Sequence, residues 1–332
     1  AVVTTTNAAL LTGHILGSGD TSQAVSGSGA VLSVTQATSS APAAPDSGVI
    51  DMGRHLRRSV RSGIPQPGRT SPGTPSVLGV VPVDETTACD SGSVRIFGTL
   101  NDNGTGTISV QYSDCRTGSV TLSGSATIRI DSFHLQFFGP TDYTVTFSRL
   151  TLSGSTAGEM SGTVHSRLDI VANSETTTVN AVVRFPSGAM AKSENLTYFD
   201  VFDTLFTPNN YIESVNGRVF DSVHGFVDVS TIVAFAFGSL TQEFPQNGQQ
   251  LLTGASGASI LVTALSPTAV RLALNTDGVG GVEHVATLAW TDLAGPAGAD
   301  LADDDRDGMH NGWERANGLD PNNSADALAD AD

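Results

Sequence analysis

Basic residues are scarce in this sequence. Its 332 residues include 16 Lys and Arg against 33 Asp and Glu, which gives a formal charge of −17. Lys192 is the single lysine. Binding to nucleic acid or to an anionic membrane needs basic surface that displaces counterions. The deficit therefore argues against both kinds of partner.

Long apolar runs are also missing. The longest, Ile232–Phe237, has the length of a strand, whereas a helix that spans a membrane needs about 18 apolar residues or more. We therefore expect no membrane-spanning helix. The chain begins at Ala1 without a basic and apolar leader, which is the pattern expected of an exported protein whose signal peptide has been removed.

Recognisable catalytic motifs are absent as well. The sequence has no His-Glu-x-x-His, no Gly-x-Ser-x-Gly and no phosphate-binding loop. Asp-Ser-Gly occurs at Asp46 and Asp90, as chance allows in a chain rich in Ser and Gly, and His224 is better explained as a core or edge histidine. We expect no catalytic residues and no enzyme, with a secreted hydrolase that uses scattered carboxylates as an alternative.

The sequence contains two cysteines, Cys89 and Cys115, and they flank a hairpin signal. The alternating runs 93–100 and 105–112 are joined by Asn-Asp-Asn-Gly, a pattern typical of two antiparallel strands and a tight turn. Such a hairpin brings its two ends together. We therefore predict a Cys89–Cys115 disulfide and an oxidising compartment.

Alternating apolar and polar residues recur along the middle of the chain, separated by Gly, Asn, Asp and Pro clusters. The pattern predicts an all-β fold, either an antiparallel sandwich, a meander or an open barrel, with an irregular N-terminal segment and a small C-terminal loop–helix module. The predicted regions are a Gly/Ser/Pro-rich segment at 1–88, an antiparallel β domain at 89–293 and a calcium-binding module at 294–332.

The N-terminal region contains two short β-prone runs, Ala1–Thr6 and Ala30–Thr35, among Gly-Ser and Pro-Ala stretches. Such runs are candidate donor strands that could add to the open sheet edge of a second copy. The basic segment Met52–Arg61 is interpreted as a solvated turn or an ion-pair partner.

The last tenth of the chain carries almost half of the net charge. Residues 300–332 include nine Asp and one Glu against two Arg. Residues 303–314 fit a twelve-residue calcium loop of the EF-hand type, in which Gly308 allows the sharp turn. The predicted Ca²⁺ ligands are Asp303, Asp305, Asp307, the Met309 carbonyl, Asn311 and Glu314.

A second loop begins at the end of the chain. Leu301–Asp305 is echoed by Leu328–Asp332, so Asp330 and Asp332 match positions 1 and 3 of a partial second site. Asp326, Asp330 or Asp332 could also complete a site shared with the first loop. The tract Asp-Gly-Met-His-Asn-Gly-Trp-Glu-Arg-Ala-Asn-Gly-Leu-Asp-Pro-Asn-Asn resembles thrombospondin type 3-like and dockerin-like calcium repeats of exported bacterial proteins. The resemblance covers roughly residues 300–332 and implies an extracellular spacer or docking module that calcium makes rigid.

These observations favour an extracellular structural protein, a fibre or surface-layer subunit that assembles with copies of itself by β-strand addition and is stiffened by calcium. A calcium-dependent adhesin or ligand-binding module at the cell surface or matrix is the alternative, and a secreted hydrolase is the second alternative. Neither nucleic acid nor a membrane span is expected.

Overall fold

A computed structural model describes residues 2–9, 11–12, 80–117, 120–134, 139–154, 157–205, 209–222, 224–239, 242, 244–293 and 296–326. The described residues form an antiparallel β-sheet of fourteen strands, whose order in the sheet is their order in the chain. The predicted all-β antiparallel fold is thereby confirmed, with the strand order of a meander. The segments 30–35 and 52–61 and the residues Asp330 and Asp332 lie outside the described residues.

The chain divides into two compact units. The described part of one unit runs from residue 80 to residue 201. Its strands are β1 Val80–Ala88, β2 Ser91–Asn101, β3 Gly106–Thr117, β4 Val120–His134, β5 Gly139–Gly154, β6 Gly158–Asp169, β7 Ser174–Arg184 and β8 Met190–Phe202, whose last residue belongs to the other unit.

The described part of the second unit comprises residues 2–9 and 11–12 and the described residues from Phe202 to 326. Its strands are β9 Tyr211–Asp221, β10 Gly225–Phe237, β11 Asn247–Thr253, β12 Ser259–Ser266, β13 Ala269–Asn275 and β14 His284–Ala289. Short 3₁₀ turns at Ala255–Gly257, Trp290–Asp292 and Pro296–Ala299 precede the helix α1, Asn311–Asn317.

Side chains alternate between a buried and a more exposed face, as the two-residue period of a strand requires. In β7, Val179 and Val183 are buried, whereas Thr178 and Val182 on the opposite face are half-buried. In the second unit, Leu252, Ile260 and Leu272 are completely buried on the corresponding face. Each unit thus has its own apolar layer on one face of its strands.

Trp290 lies directly after the last strand of the second unit and anchors the chain that leaves it. Its ring is buried and stacks on Phe244 with centroids 5.3 Å apart, and its indole Nε1 donates to the Ser266 carbonyl at 3.0 Å. The backbone beyond β14 is therefore held at a fixed point, a few residues before the acidic module begins.

The β domain begins earlier than its predicted start at residue 89. Strand β1 pairs with β2 from Val80 onward, so the last residues of the predicted segment 1–88 belong to the sheet. This strand is hard to recognise in the sequence because it contains Pro82, Asp84 and Glu85. Proline and acidic residues are unusual inside a sheet. They are tolerated at an edge, where one side of the backbone makes no ladder bonds.

The segment Ala1–Thr6 is not a free strand. Residues 5–7 form a turn and residues 8–9 and 11–12 are helical. Asn7 stabilises this turn, since its side chain accepts from the Thr4 amide at 2.8 Å and donates to the Val2 carbonyl at 2.8 Å. Local side-chain bonds of this kind compete with strand pairing.

No helix among the described residues is long and apolar enough to cross a membrane. The predicted disulfide is confirmed, since Cys89 and Cys115 are joined with their Cα atoms 5.4 Å apart. Cys89 lies in the turn between β1 and β2, and Cys115 lies near the end of β3. The bond therefore ties the β1–β2 turn to the neighbouring strand.

Replacing both cysteines by alanine should lower the free energy of unfolding by roughly 3 kcal/mol, because the bond closes a loop of 26 residues in the unfolded chain. Denaturant unfolding under oxidising conditions measures the difference. Reduction of the wild type is the matched control and should give a similar loss while leaving the double variant unchanged. Equal stability of the oxidised wild type and the variant would contradict a stabilising bond.

Candidate metal centre

The acidic loop is closed by Asp303. Its carboxylate accepts hydrogen bonds from the amides of Arg306 at 2.6 Å and Gly308 at 3.2 Å. Both residues have left-handed backbone angles, with φ of 65° at Arg306 and 100° at Gly308. Glycine adopts this conformation without strain. The side chain of Asp303 thus organises the turn on which the following carboxylates are placed.

Asn311 connects the two ends of the loop. Its side chain is buried, accepts from the Asp304 amide at 3.2 Å and donates to the carboxylates of Asp300 and Asp304 at 3.1 and 3.0 Å. Its own amide donates to the Ala302 carbonyl at 2.7 Å. These bonds hold the beginning of helix α1 against the beginning of the loop.

Helix α1 supplies the one glutamate of the cluster. His310 caps its N-terminus through Nδ1, which accepts from the Trp313 amide at 3.2 Å. Gly318 ends it in the left-handed conformation, and the Leu319 amide returns to the Glu314 carbonyl at 2.8 Å. Since both ends are fixed, the position of Glu314 in the first turn is fixed as well.

Asp326 joins the cluster from outside the twelve-residue loop. After helix α1 the chain turns at 320–326, where the Asn323 amide donates to the Asp320 carbonyl and the Asp326 amide donates to the Asn323 carbonyl. The Asp320 amide then donates to Asp326 Oδ2 at 2.9 Å. This local turn directs the other oxygen of Asp326 toward the loop.

Four carboxylates meet at this point: Asp305, Asp307, Glu314 and Asp326, with one oxygen from each lying within 4.8 Å of the others. The hydrogen bonds divide their oxygens into two sets. One oxygen of each aspartate accepts from a backbone amide. The remaining aspartate oxygens and both oxygens of Glu314 are buried without a hydrogen-bond partner among the described residues.

Glu314 is the strongest sign that this cluster serves a ligand. The residue is completely buried, and neither of its oxygens has a partner in the part of the chain that the structure describes. Buried polar groups are nearly always hydrogen-bonded, and buried charges are paired or bind metals. A carboxylate that faces three others in a buried position therefore requires a cation or a proton.

The electrostatics agree with the geometry. Burial raises the pKa of Glu314 to about 7, and repulsion from Asp305, Asp307 and Asp326 adds to this effect. Burial and the charge of Asp307 also raise the pKa of Asp305. Outside the cluster, the pKa of Asp300 is lowered although burial opposes this, because Ala302, Asn311 and Arg315 donate hydrogen bonds to its carboxylate.

The structure brings three of the predicted ligands together in one carboxylate cluster. Asp305, Asp307 and Glu314 lie in the cluster, whereas the carboxylate of Asp303 and the side chain of Asn311 hold the loop by hydrogen bonds. The Met309 amide donates to Asp307 Oδ1 at 2.8 Å, which sets the backbone at the predicted carbonyl position. Asp303 and Asn311 thus brace the loop by hydrogen bonds, and their assignment as ligands stays a prediction.

Asp326 is not among the six ligands predicted for the loop itself, but it is one of the three later aspartates that could complete a shared site. It lies twelve residues after Glu314, beyond the loop template, and reaches the cluster through the turn at 320–326. The one signal in the sequence was the recurrence of Asp residues after the helix. The position of this turn relative to the loop depends on where helix α1 ends, and the twelve-residue loop pattern does not specify that.

The N-terminal segment is attached beside the loop. The Leu301 amide donates to the Thr5 carbonyl at 3.0 Å, and Val3, Ala8, Ala9 and Leu301 are buried. A single residue, Ala302, separates Leu301 from the start of the loop. Order in the acidic loop and attachment of residues 2–12 therefore depend on the same short stretch of backbone.

Comparison of the chain with protein-family models, with curated proteins and with solved structures gives no significant match. The geometry of the site is therefore the basis for assigning a function.

Without metal, the protein should become less stable as the pH rises from 5 to 8. The pKa of Glu314 is raised in the folded state from 4.5 to about 7, so the stabilisation from protonation is complete below pH 4.5 and is lost as the pH passes 7. Thermal unfolding with a chelator, followed by tryptophan fluorescence, measures this fall. Saturating Ca²⁺ should remove it.

The variant Glu314→Gln is the control for this pH dependence. Its neutral amide should make the metal-free protein more stable than the wild type at pH 8, and the fall between pH 5 and 8 should shrink. An unchanged pH dependence in Glu314→Gln would show that other groups cause it.

Asp326→Asn should weaken Ca²⁺ binding by about tenfold or more, because affinity in such sites follows the number of charged ligands. Asp320→Asn is the matched control, since Asp320 is an exposed aspartate of the same turn that lies outside the cluster, and its loss of one charge should change the affinity by less than about twofold. Calorimetric titration at pH 8 gives both constants. Equal losses in the two variants would indicate a general charge effect.

Proposed function

We propose that this protein is an extracellular structural protein whose C-terminal module binds Ca²⁺ and which assembles with copies of itself into a fibre or surface layer. The observation that carries the metal-binding part is the buried Glu314 carboxylate, whose two oxygens face Asp305, Asp307 and Asp326 without hydrogen-bond partners among the described residues. Three observations support the proposal: the carboxylate oxygens that are available to bind a cation, the disulfide, and the attachment of the N-terminal segment beside the loop.

The available carboxylate oxygens suit Ca²⁺ better than other common cations. The buried oxygens that lack hydrogen-bond partners within the described chain are one from each aspartate and both from Glu314, which makes five. Ca²⁺ takes six to eight oxygens at flexible geometry and often accepts a bidentate glutamate. Mg²⁺ prefers an octahedral shell with several waters, and Zn²⁺ prefers nitrogen and sulfur ligands.

The remaining Ca²⁺ ligands would come from the backbone carbonyl at position 7 of the loop, Met309, and from water. This assignment leaves Asp303 and Asn311 in the bracing contacts that they make in the structure. The four carboxylates carry four negative charges, and a divalent cation would neutralise half of them. Repulsion in the cluster would then change into attraction toward the ion.

Two features support a location outside the cell. The Cys89–Cys115 disulfide is typical of an oxidising compartment. Calcium loops of extracellular modules bind at the millimolar concentrations found outside cells. The resemblance of the acidic tract to calcium repeats of exported bacterial proteins points in the same direction.

A structural role is supported by the contacts that the ion would hold in place. The loop is adjacent to Leu301, which donates a hydrogen bond to the Thr5 carbonyl, so an ordered loop also fixes the N-terminal segment at Thr5. A single ion would therefore fasten two parts of the chain that are almost three hundred residues apart. This kind of stabilisation is useful to a protein that resists force or proteolysis outside the cell.

Calcium should control both protease resistance and assembly. With Ca²⁺, limited proteolysis should spare residues 300–326, and negative-stain imaging should show ordered fibres or layers. With a chelator, cleavage should begin within the acidic loop, because crowded carboxylates repel one another without the ion. Asp326→Asn should need more Ca²⁺ for protection than Asp320→Asn.

Two results would overturn the proposal in separate parts. Equal protease sensitivity with and without chelator would contradict the calcium site. Monodisperse single copies at every protein and Ca²⁺ concentration would remove the structural assembly and would favour the adhesin or binding module.

A further inference from the structure

The last strand of the sheet has an edge of unusual composition. Among the residues that the structure describes, β14 is in register with β13 and with no other strand. Its six residues, His284–Ala289, include neither proline nor a residue of formal charge. Sheet edges that must stay unpaired are usually blocked by such residues.

The first strand shows the usual protection. Strand β1 contains Pro82, Asp84 and Glu85, and Asp84 forms a two-point ion pair with Arg95 at 2.8 Å on β2. Proline lacks the amide that a new strand would use, and charged side chains oppose burial by one. Strand β14 has none of these obstacles, so its edge is chemically open to another strand.

A row of side chains on the more exposed face leads to this edge. Leu251, Leu261, Ala273 and Val285 lie opposite one another on β11, β12, β13 and β14. Leu251 and Leu261 are half-buried and Ala273 is 7% exposed, whereas Val285 is 51% exposed. The apolar row thus continues to β14 and ends there on a half-exposed β-branched residue.

We propose that the edge of β14 accepts the segment Ala30–Thr35 of a second copy as an added strand. This proposal rests on the proposed function, since it gives the assembly its acceptor edge and its donor. The donor has six residues, as does β14, and it alternates Ala30, Leu32 and Val34 with Val31, Ser33 and Thr35. In the added strand, Ala30, Leu32 and Val34 would share a sheet face with Ala286 and Leu288. Val31, Ser33 and Thr35 would share the opposite face with Val285 and Thr287.

The other candidate donor, the segment Ala1–Thr6, is already used within its own chain. Val3 is buried, and the Thr5 carbonyl accepts from the Leu301 amide. Ala30–Thr35 is separated from Thr12 by 17 residues and from Val80 by 44 residues, enough to reach a neighbour. Each copy would then offer one donor and one acceptor, and head-to-tail addition of this kind gives a filament if it does not close.

Engineered cysteines in separate chains test the pairing. One population of the full chain carries Ser33→Cys and the other carries Thr287→Cys, while the native cysteines remain joined to each other. Mixing under mild oxidation should yield a disulfide-linked pair of the two variants, because opposed side chains on paired strands lie within bonding reach.

Val279→Cys replaces Thr287→Cys in the matched control, since Val279 is 73% exposed and lies in the loop that precedes β14. Its cross-linking to Ser33→Cys should be at least about tenfold slower than that of Thr287→Cys. Equal rates would overturn the proposal. A chain carrying both Ser33→Cys and Thr287→Cys that closes only on itself would also overturn it, because the donor would then belong to the same copy.

A charged side chain at the edge gives a second test. Val285→Lys should raise the protein concentration needed for assembly by about tenfold or more, as edge lysines do in natural sheets, while Val279→Lys should leave it unchanged. Thermal unfolding shows whether both variants fold like the wild type. Assembly of Val285→Lys at the wild-type concentration would overturn the acceptor edge and leave the proposed function standing, whereas a wild type that never assembles overturns both.

Discussion

The crowding of three aspartate carboxylates around Glu314 is the constraint on which the C-terminal part of this protein depends. Backbone amides satisfy one oxygen of each aspartate, and the loop, the helix and the turn at 320–326 direct the others into one buried volume. Such an arrangement is unfavourable without a cation, because burial and like charge act together. The same arrangement becomes favourable once a divalent ion neutralises part of the charge.

The consequences of this constraint reach beyond the loop. Asn311 joins both loop ends, Arg315 bonds to Asp300, and Leu301 bonds to Thr5. The N-terminal segment is therefore held by the same backbone that supports the acidic cluster. In the proposed function, one ion holds both ends of the second unit in place. The strands between these ends form the apolar layer to which Leu252, Ile260 and Leu272 belong.

The sheet itself follows from local rules that the sequence shows clearly. Two-residue alternation and tight turns favour an antiparallel sheet, but alternation alone does not mark every strand boundary, since the apolar residues of 218–229 lie on both sides of the connection between β9 and β10. Gly225 has a φ of 89° there, and apolar residues on both sides of a short turn imitate one continuous strand. Strand β1 was missed for the opposite reason, since Pro82 and Asp84 are edge features that resemble a loop.

The sequence by itself determined the all-β class, the disulfide and the loop that presents Asp305, Asp307 and Glu314, because each depends on residues close together in the chain or on a repeated local pattern. Only the tertiary structure decided that Asp326 completes the acidic cluster and that Val3 and Thr5 are bound inside their own chain. Those contacts depend on how a short helix and a turn direct the backbone in space. Spacing along the chain does not encode that direction.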